Sequence, residues 1–184
     1  MGNDSGVSVI MAVWNQLCYT RLAVDSILKN TDSPFELVIV DNGSRPDVRE
    51  YFDSLKGAPR VTYIRNEKNV GPIRAINQGI KAAGLKYVMA IHNDVIIMEP
   101  GWLRKITAAM DADPAIGLAG LAGRGEIYRT GCVNEESLKH NLQNEDLNAP
   151  MEEETARVAV VDGMCFTMSR PLLEKIGGLD EQLG

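Results

Sequence analysis

The chain alternates short apolar runs with stretches in which apolar residues recur every three or four positions. Strands are predicted at residues 7–13, 36–41, 60–64, 87–92 and 116–121, with amphipathic helical stretches between them. Strands that alternate with helices form parallel βαβ units. The runs at 7–13 and 37–40 are almost wholly apolar, which is typical of central strands covered on both faces. The sequence therefore predicts an α/β fold with a mostly parallel sheet and helices on both faces.

Polar residues collect where three of the predicted strands end. These residues are Trp14 and Asn15, Asp41-Asn42-Gly43, and His92-Asn93-Asp94. In open α/β sheets the ligand crevice forms outside the carboxyl ends of the strands. The Asp41 carboxylate is therefore expected to emerge at this edge, where it could accept hydrogen bonds from a ribose or a base. The alternative is that Asp41 only caps the turn that follows it.

The tripeptide His92-Asn93-Asp94 offers a candidate metal ligand. The carboxylate of Asp94 could hold a divalent cation together with phosphate oxygens and water, because magnesium then needs only one or two protein carboxylates. His92 is the second candidate, although a strand-end histidine without a nearby second histidine is more often hydrogen-bonded than a metal ligand. His140 lies in an acidic stretch and has no recognisable ligand spacing.

A helix is predicted to begin near Gly71-Pro72. Proline suits a first helical turn, where its missing N–H has no intrahelical partner, and the remaining free N–H groups could face an anion. One stripe of this helix is apolar, and a second stripe with the same spacing carries Arg74, Asn77 and Lys81. One face is therefore expected to pack against the sheet, while the other remains available for polar contacts.

The regular pattern is lost between residues 123 and 156, which are polar and rich in acidic side chains. This stretch is far longer than the usual connection of about 4–6 residues, so it is expected to be a lid or a disordered insert. Strands are expected again at 157–161 and 164–168, followed by a short helix after Pro171. Without an internal repeat or a second pattern, residues 1–184 are expected to form a single domain.

Composition narrows the possible functions. The net charge of -6 argues against a general nucleic-acid-binding role. Three widely spaced cysteines without a C-x-x-C pair argue against a disulfide framework or a zinc site and favour a reducing cytosol. No apolar run approaches the roughly 18 residues that cross a bilayer, so the expected location is cytoplasmic, with peripheral association with a membrane as an option.

Two other nucleotide-binding classes fit the sequence poorly. A Rossmann dehydrogenase needs its glycine fingerprint between a strand and a helix, whereas Gly117, Gly120, Gly123 and Gly125 precede no clear helix. Close backbone packing is the simpler explanation for these glycines. A nucleotidyltransferase would carry a glycine-rich basic loop after the first strand, where this chain has Trp14-Asn15-Gln16-Leu17.

Five segments resemble, in order and spacing, the motifs of family 2 glycosyltransferases. They are residues 7–15, 37–44, 66–79, 92–94 at the position of the D-x-D motif, and 177–181 at the position of the G-G-F-D-E segment. The likeness spans essentially the whole chain. Single motifs of this kind are weak, but five in register are specific.

The resemblance implies a GT-A fold, with a Rossmann-like sheet, that binds a nucleotide-diphosphate sugar and a divalent cation (Mn2+ or Mg2+). A UDP-sugar is the favoured donor, and a glycan or another hydroxyl compound is the acceptor. Asp41 would then contact the base, Gly71 would let the chain approach the nucleotide, and Asp94 would bind the metal. The other implied donor-binding residues are Ala12, Val13, Asn15, Arg74, Asn77 and Asn93.

The resemblance also implies an inverting transfer, in which a carboxylate takes the proton of the acceptor. In the family this base comes from an acidic pair after the G-G-F-D-E segment, and this chain ends at Gly184 before such a pair. Among the acids present, Asp162 resembles a site-lining position, whereas Asp180 and Glu181 are of the kind that form turns and salt bridges. The expectation is therefore a glycosyltransferase domain that lacks its general base, and the alternative is a noncatalytic nucleotide-sugar-binding module.

One position departs from the family pattern. His92 stands where the D-x-D motif has its first aspartate. This removes a negative charge near the expected ribose and leaves the affinity for metal resting mainly on Asp94.

Overall fold

The computed structural model describes residues 5–130, 132–139 and 155–183. Its strands are β1 (Val7–Val13), β2 (Phe35–Asp41), β3 (Val61–Arg65), β4 (Tyr87–Ile91), β5 (Leu118–Gly120), β6 (Gly123–Arg124), β7 (Leu138–Lys139), β8 (Val160–Val161) and β9 (Cys165–Ser169). Its α-helices are α1 (Leu17–Asn30), α2 (Pro46–Ser54), α3 (Pro72–Ala82), α4 (Trp102–Ala112) and α5 (Arg170–Ile176).

A six-stranded sheet forms the centre, in the order β3-β2-β1-β4-β9-β5. The pairs β3-β2, β2-β1 and β1-β4 are parallel, while β9 runs antiparallel to both of its neighbours. The predicted α/β fold with a mostly parallel sheet is therefore confirmed. The carboxyl ends of β1, β2 and β4 lie side by side, as the strand-end argument requires.

The two faces of the sheet carry separate hydrophobic clusters, because successive side chains of a strand point to opposite faces. Val9 and Met11 of β1 belong to the larger cluster, which also contains residues of α1, α2 and α4. Ile10 belongs to the smaller cluster, together with residues of α3 and α5. The contact with α3 is close, since a Cβ on Gly79 would lie 2.3 Å from Cγ2 of Ile10. The prediction of helices on both faces is confirmed.

Part of the polar stretch predicted to be a lid or a disordered insert has regular structure instead. Strands β7, β6 and β8 form a small antiparallel sheet, in which Gly123 pairs with both Lys139 and Val161. Strands of two residues are too short to produce an alternating pattern, which is why the sequence did not reveal β6 and β7. The third strand, β8, falls within the strand predicted at 157–161. His140 lies outside the described residues.

The glycines of this region have the packing role that the sequence analysis favoured. A Cβ on Gly120 would lie 2.3 Å from Cγ1 of Val161, and one on Gly123 would lie 2.6 Å from the carbonyl oxygen of Val160. All three cysteines are free thiols, with Cys165 buried. Among the described residues, no helix combines the length and the apolar character that crossing a bilayer would require.

Candidate functional site

Strand β1 brings an exposed aromatic ring to the ligand edge. Val13 is fully buried and Ala12 half-buried, whereas the next residue, Trp14, has 56% of its surface exposed. In the sequence, Trp14 is distinguished only by its position at the end of a predicted strand. An indole exposed at the carboxyl edge of a parallel sheet offers a flat surface on which a base could stack.

The turn after Trp14 has an uncommon backbone conformation. Asn15 and Gln16 both adopt positive φ angles, 60° and 54°, which non-glycine residues rarely do outside functional sites and turns. The turn is held by Asn15, whose N–H donates to Oγ of Ser44 (2.9 Å) and whose Oδ1 accepts from the N–H of Arg45 (3.0 Å). The backbone N–H and the side chain of Asn15 therefore join one strand-end turn to the next.

Asp41 is buried, and both of its carboxylate oxygens accept hydrogen bonds. It has no exposed surface, its Oδ1 accepts from the N–H of Ser44 (2.8 Å), and its Oδ2 accepts from the hydroxyl of Tyr63 (2.6 Å) and from Nη1 of Arg65. Nη2 of Arg65 donates to the carbonyl oxygen of Ser44 (2.8 Å). The carboxylate does not emerge at the ligand edge as expected, because two residues of β3 cover it. The turn-capping alternative describes its contacts.

The environment of Asp41 also changes the pKa of Tyr63. Burial, reinforced by the hydrogen bond to Asp41, raises the pKa of Tyr63 from 10.0 to about 12. The proton is thus held more tightly in the folded chain. The resulting contribution to stability is fully present below the unfolded pKa of about 10 and is lost as the pH rises through about 12.

Replacing Tyr63 by phenylalanine is expected to change the alkaline titration of the protein. Burial also raises the pKa of Tyr51 to about 12, so the variant should lose the contribution of Tyr63 near this pH and retain that of Tyr51. Phenolate absorbance followed from pH 9 to 13 measures this difference. A variant that loses its phenolate absorbance near pH 10, rather than near pH 12, would contradict the burial of the Tyr63 hydroxyl.

A network of side-chain amides, which was not predicted from the sequence, joins the turn after β2 to the loop before α3. Asn42 Nδ2 donates to Oδ1 of Asn69 (2.8 Å), and Asn42 Oδ1 accepts from the N–H of Val70 (3.0 Å). Asn66 exchanges two hydrogen bonds with Gln78 on α3 (2.8 and 3.0 Å). The four amide side chains hold the loop in place. Because these four residues are spread along the sequence, their types alone did not indicate that they contact one another.

Helix α3 begins as predicted, but its polar residues Asn77 and Arg74 contact another part of the chain. Gly71 precedes it with a φ of 89°, and Pro72 occupies its first turn. The amide of Asn77 donates to the carbonyl oxygen of Leu179 (2.9 Å) and accepts from its N–H (3.0 Å). Arg74 forms an ion pair with Glu181 at 3.4 Å. Asn77 therefore binds the segment at 177–181, and Arg74 would reach a phosphate only by leaving Glu181.

The end of β4 presents one carboxylate to solvent. The side chain of Asn93 donates to Oγ1 of Thr20 on α1 (2.9 Å), so its amide is engaged within the fold. The N–H of His92 donates to the carbonyl oxygen of Met164 (2.9 Å), while the side chains of His92 and Asp94 are exposed. Oδ1 of Asp162 accepts from the N–H of Met164 (2.9 Å), which places this acid beside the same strand end.

This arrangement fits a cation shared with a ligand better than a cation held by protein alone. Among the described residues, no group of three or more histidine, cysteine, aspartate or glutamate side chains could enclose a metal. A hard cation bound mainly by phosphate oxygens and water needs only one or two protein carboxylates. The exposed Asp94 meets that requirement.

The described residues also form a hollow away from the strand-end edge. A cavity of about 690 Å³ is found between α3 and α5, and its lining includes Ile80, Leu173 and Gly178. Arg170 also lines this cavity, but its guanidinium already donates hydrogen bonds to the carbonyl oxygens of Leu85 and Ala83. The strand-end edge is the better candidate despite its open shape, because its exposed indole and carboxylate suit a nucleotide and a cation.

Known proteins resemble the chain in sequence and fold. The family described as Glycosyl transferase family 2 matches residues 8–177. An uncharacterized glycosyltransferase of Rickettsia bellii (strain RML369-C) is 35% identical over 91 residues, which are 50% of this chain and 13% of that protein.

Two solved structures share the fold at 20% identity. Mannosyltransferase PcManGT from Pyrobaculum calidifontis, in complex with GDP-Man and Mn2+, has a TM-score of 0.66 over 95% of this chain and 47% of its own. S. aureus TarS 1-349, in complex with UDP, has a TM-score of 0.63 over 96% of this chain and 51% of its own. This chain thus spans about half of each solved structure and a smaller part of the Rickettsia protein. The similarity confirms the expected GT-A fold.

Proposed function

Because the chain belongs to glycosyl transferase family 2, whose pattern covers residues 8–177, we propose that it binds a nucleotide-diphosphate sugar across the ends of β1, β2 and β4. The observation that carries this proposal is the exposure of Trp14 and Asp94 at the carboxyl ends of two adjacent strands. An aromatic surface and a hard oxygen ligand at one edge suit the two ends of a nucleoside diphosphate.

The base and ribose would lie against the turn after β1. Trp14 provides the stacking surface, which is worth roughly 1–3 kcal/mol per base in other nucleotide-binding proteins. Ala12, Val13 and Asn15 form the border of this position through the backbone and the fixed turn. Complexes of related folds with UDP and with GDP-Man support a nucleotide-diphosphate donor, and a UDP-sugar remains our favoured donor.

The diphosphate would lie between α3 and the end of β4. Gly71 allows a close approach of the backbone, and the first turn of α3 presents unpaired N–H groups. Arg74 would exchange Glu181 for a phosphate oxygen. Asp94, with His92 as a second candidate, would hold Mn2+ or Mg2+, which when bound supplies the charge that stabilises the departing diphosphate. Asn93 maintains this geometry through α1.

The proposed reaction is an inverting transfer to a hydroxyl group of a glycan or another acceptor. The acceptor oxygen forms a bond with the anomeric carbon, the bond from that carbon to the diphosphate oxygen breaks, and a carboxylate takes the acceptor proton. Asp162 is our candidate for that carboxylate within the described residues, since only its Oδ1 is used by Met164. A module that binds the donor without transfer is the second possibility, and the exposed donor edge fits it equally well.

Calorimetric titration with UDP, in the presence and absence of manganese, tests the donor site. Binding that requires manganese is expected, because the phosphates and Asp94 complete the coordination of the cation together. GDP, CDP and ADP should be titrated in parallel to establish which bases are accepted. Failure of all four nucleotides to bind in the presence of manganese would overturn the proposed function.

A further inference from the structure

Glu181 places a carboxylate against the polar stripe of α3. Its Oε2 forms the ion pair with Nε of Arg74 at 3.4 Å, and its Oε1 accepts a hydrogen bond from Nδ2 of Asn77 (3.1 Å). Arg74 and Asn77 are three positions apart, so they lie on one face of the helix. Both oxygens of the carboxylate therefore contact the same stripe. Arg74, in the first turn of α3, is paired with an anion of the chain itself.

The preceding turn holds Glu181 in this position. Gly177 and Gly178 adopt positive φ angles, 81° and 99°, and Asn77 then fixes Leu179 through its two hydrogen bonds of 2.9 and 3.0 Å. A Cβ on Gly178 would lie 3.1 Å from Oδ1 of Asn77, so this turn passes close to α3. The carboxylate is thus positioned by a turn that is anchored two residues earlier.

A small hollow lies beside the ion pair. It has a volume of about 200 Å³, and its lining includes Val70, Arg74, Lys81 and Glu181. Two cationic side chains and one carboxylate therefore border the same space. Val70 immediately precedes Gly71, so the hollow adjoins the first turn of α3, where the diphosphate is proposed to lie.

A phosphate group that reached Arg74 would compete with Glu181. A guanidinium makes charge-assisted hydrogen bonds with carboxylates and with phosphates, but two anions that share one cation repel each other. The side chains of Arg74 and Glu181 are 58% and 46% exposed. Exposed ion pairs are weak, so a phosphate can displace the carboxylate at a small cost in affinity.

We propose that Glu181 is an internal competitor of the donor, which pairs with Arg74 until a phosphate oxygen of the nucleotide-diphosphate displaces it. This inference rests on the proposed function, because it needs a diphosphate at the first turn of α3. Linked equilibria are reciprocal. The donor therefore weakens the attachment of residues 180–183 to α3 by the same factor by which that attachment weakens the donor.

Calorimetric titration of Glu181→Gln with UDP in the presence of manganese tests the competition. Glutamine keeps an oxygen that can accept from Asn77 but loses the charge that pairs with Arg74. UDP should therefore bind about two- to fivefold more tightly than it binds to the parent. Asp180→Asn is the matched control, because it removes the same charge one position earlier, where the carboxylate accepts from the N–H of Gln182. Its affinity for UDP should equal that of the parent.

A double-mutant cycle shows whether the gain in affinity passes through Arg74. Arg74→Met should bind UDP more weakly than the parent, because it loses a charged donor. Adding Glu181→Gln to this variant should have no further effect, since the cation for which the two anions compete is gone. A gain of the same size without Arg74 would mean that Glu181 repels the diphosphate from a distance, and it would overturn the inference. An unchanged affinity for UDP in Arg74→Met would do the same.

The opposite effect of Glu181→Gln identifies the competing arrangement. If Glu181 orients Arg74 toward the phosphate, Glu181→Gln should bind UDP more weakly than the parent. That result, or equal affinity in the two chains, overturns the inference while leaving the donor site intact. Thermal unfolding of the single variants should match that of the parent, because all three substituted side chains are exposed. Absence of UDP binding to the parent chain would instead overturn the proposed function and the inference together.

Discussion

Replacing Asp94 by alanine is expected to abolish the manganese-dependent part of nucleoside diphosphate binding. Asp94 presents an exposed carboxylate at the end of β4, and the described residues contain no cluster of acids or histidines that could replace it. A cation shared with a diphosphate would therefore lose its principal protein ligand. We expect the affinity for UDP in the presence of manganese to fall about 100-fold, to the affinity measured without the metal, which corresponds to roughly 2.7 kcal/mol.

Two controls separate this effect from unfolding and from a general change of charge. Asp25 is an exposed aspartate on α1, and Asp25→Ala should leave the binding of UDP unchanged. Thermal unfolding of Asp94→Ala should match that of the parent, because exposed substitutions usually change stability by less than about 0.5 kcal/mol. Manganese-dependent binding that persists in Asp94→Ala would remove Asp94 from the site.

The sheet could be predicted from the sequence because the spacing of apolar residues within each strand and helix depends only on neighbouring positions. Periods of two and of about 3.6 residues distinguish strands from helices, and their alternation implies parallel pairing. The same reasoning found the positions where polar side chains leave the sheet, including Asp94. It failed for β6 and β7, which have two residues each and are too short to leave a pattern in the side chains.

The contacts of the site residues could not be predicted in the same way, because they join distant parts of the chain. Asn77 is engaged by Leu179, which is 102 positions away. Asp41 is covered by Tyr63 and Arg65, which are 22 and 24 positions away. One clue was present, since residues two apart on a strand share a face. Once β2 and β3 are taken as parallel neighbours, both side chains of β3 point to the face that Asp41 occupies.

Replacing Gly43 by alanine is expected to cost more stability than any exposed substitution in the chain. Gly43 has a φ of 75°, and a Cβ there would lie 2.7 Å from Cα and 2.8 Å from the carbonyl carbon of Lys68. These are backbone atoms, so the loop before α3 must shift to make room. Left-handed strain of about 1–2 kcal/mol adds to overpacking of about 1–3 kcal/mol, and the free energy of unfolding should fall by about 2–5 kcal/mol.

Gly57→Ala provides the matched control for Gly43→Ala, and urea unfolding of both variants measures the difference. Gly57 also has a positive φ, 84°, but nothing lies within 4 Å of the added Cβ. Only the left-handed strain of about 1–2 kcal/mol should appear there. Equal losses of unfolding free energy in the two variants would show that the turn at Gly43 and the loop before α3 are not in close contact. A larger loss at Gly43 would also imply a change in nucleotide binding. The loop before α3 ends at Gly71, which positions the first turn of α3 toward the proposed diphosphate.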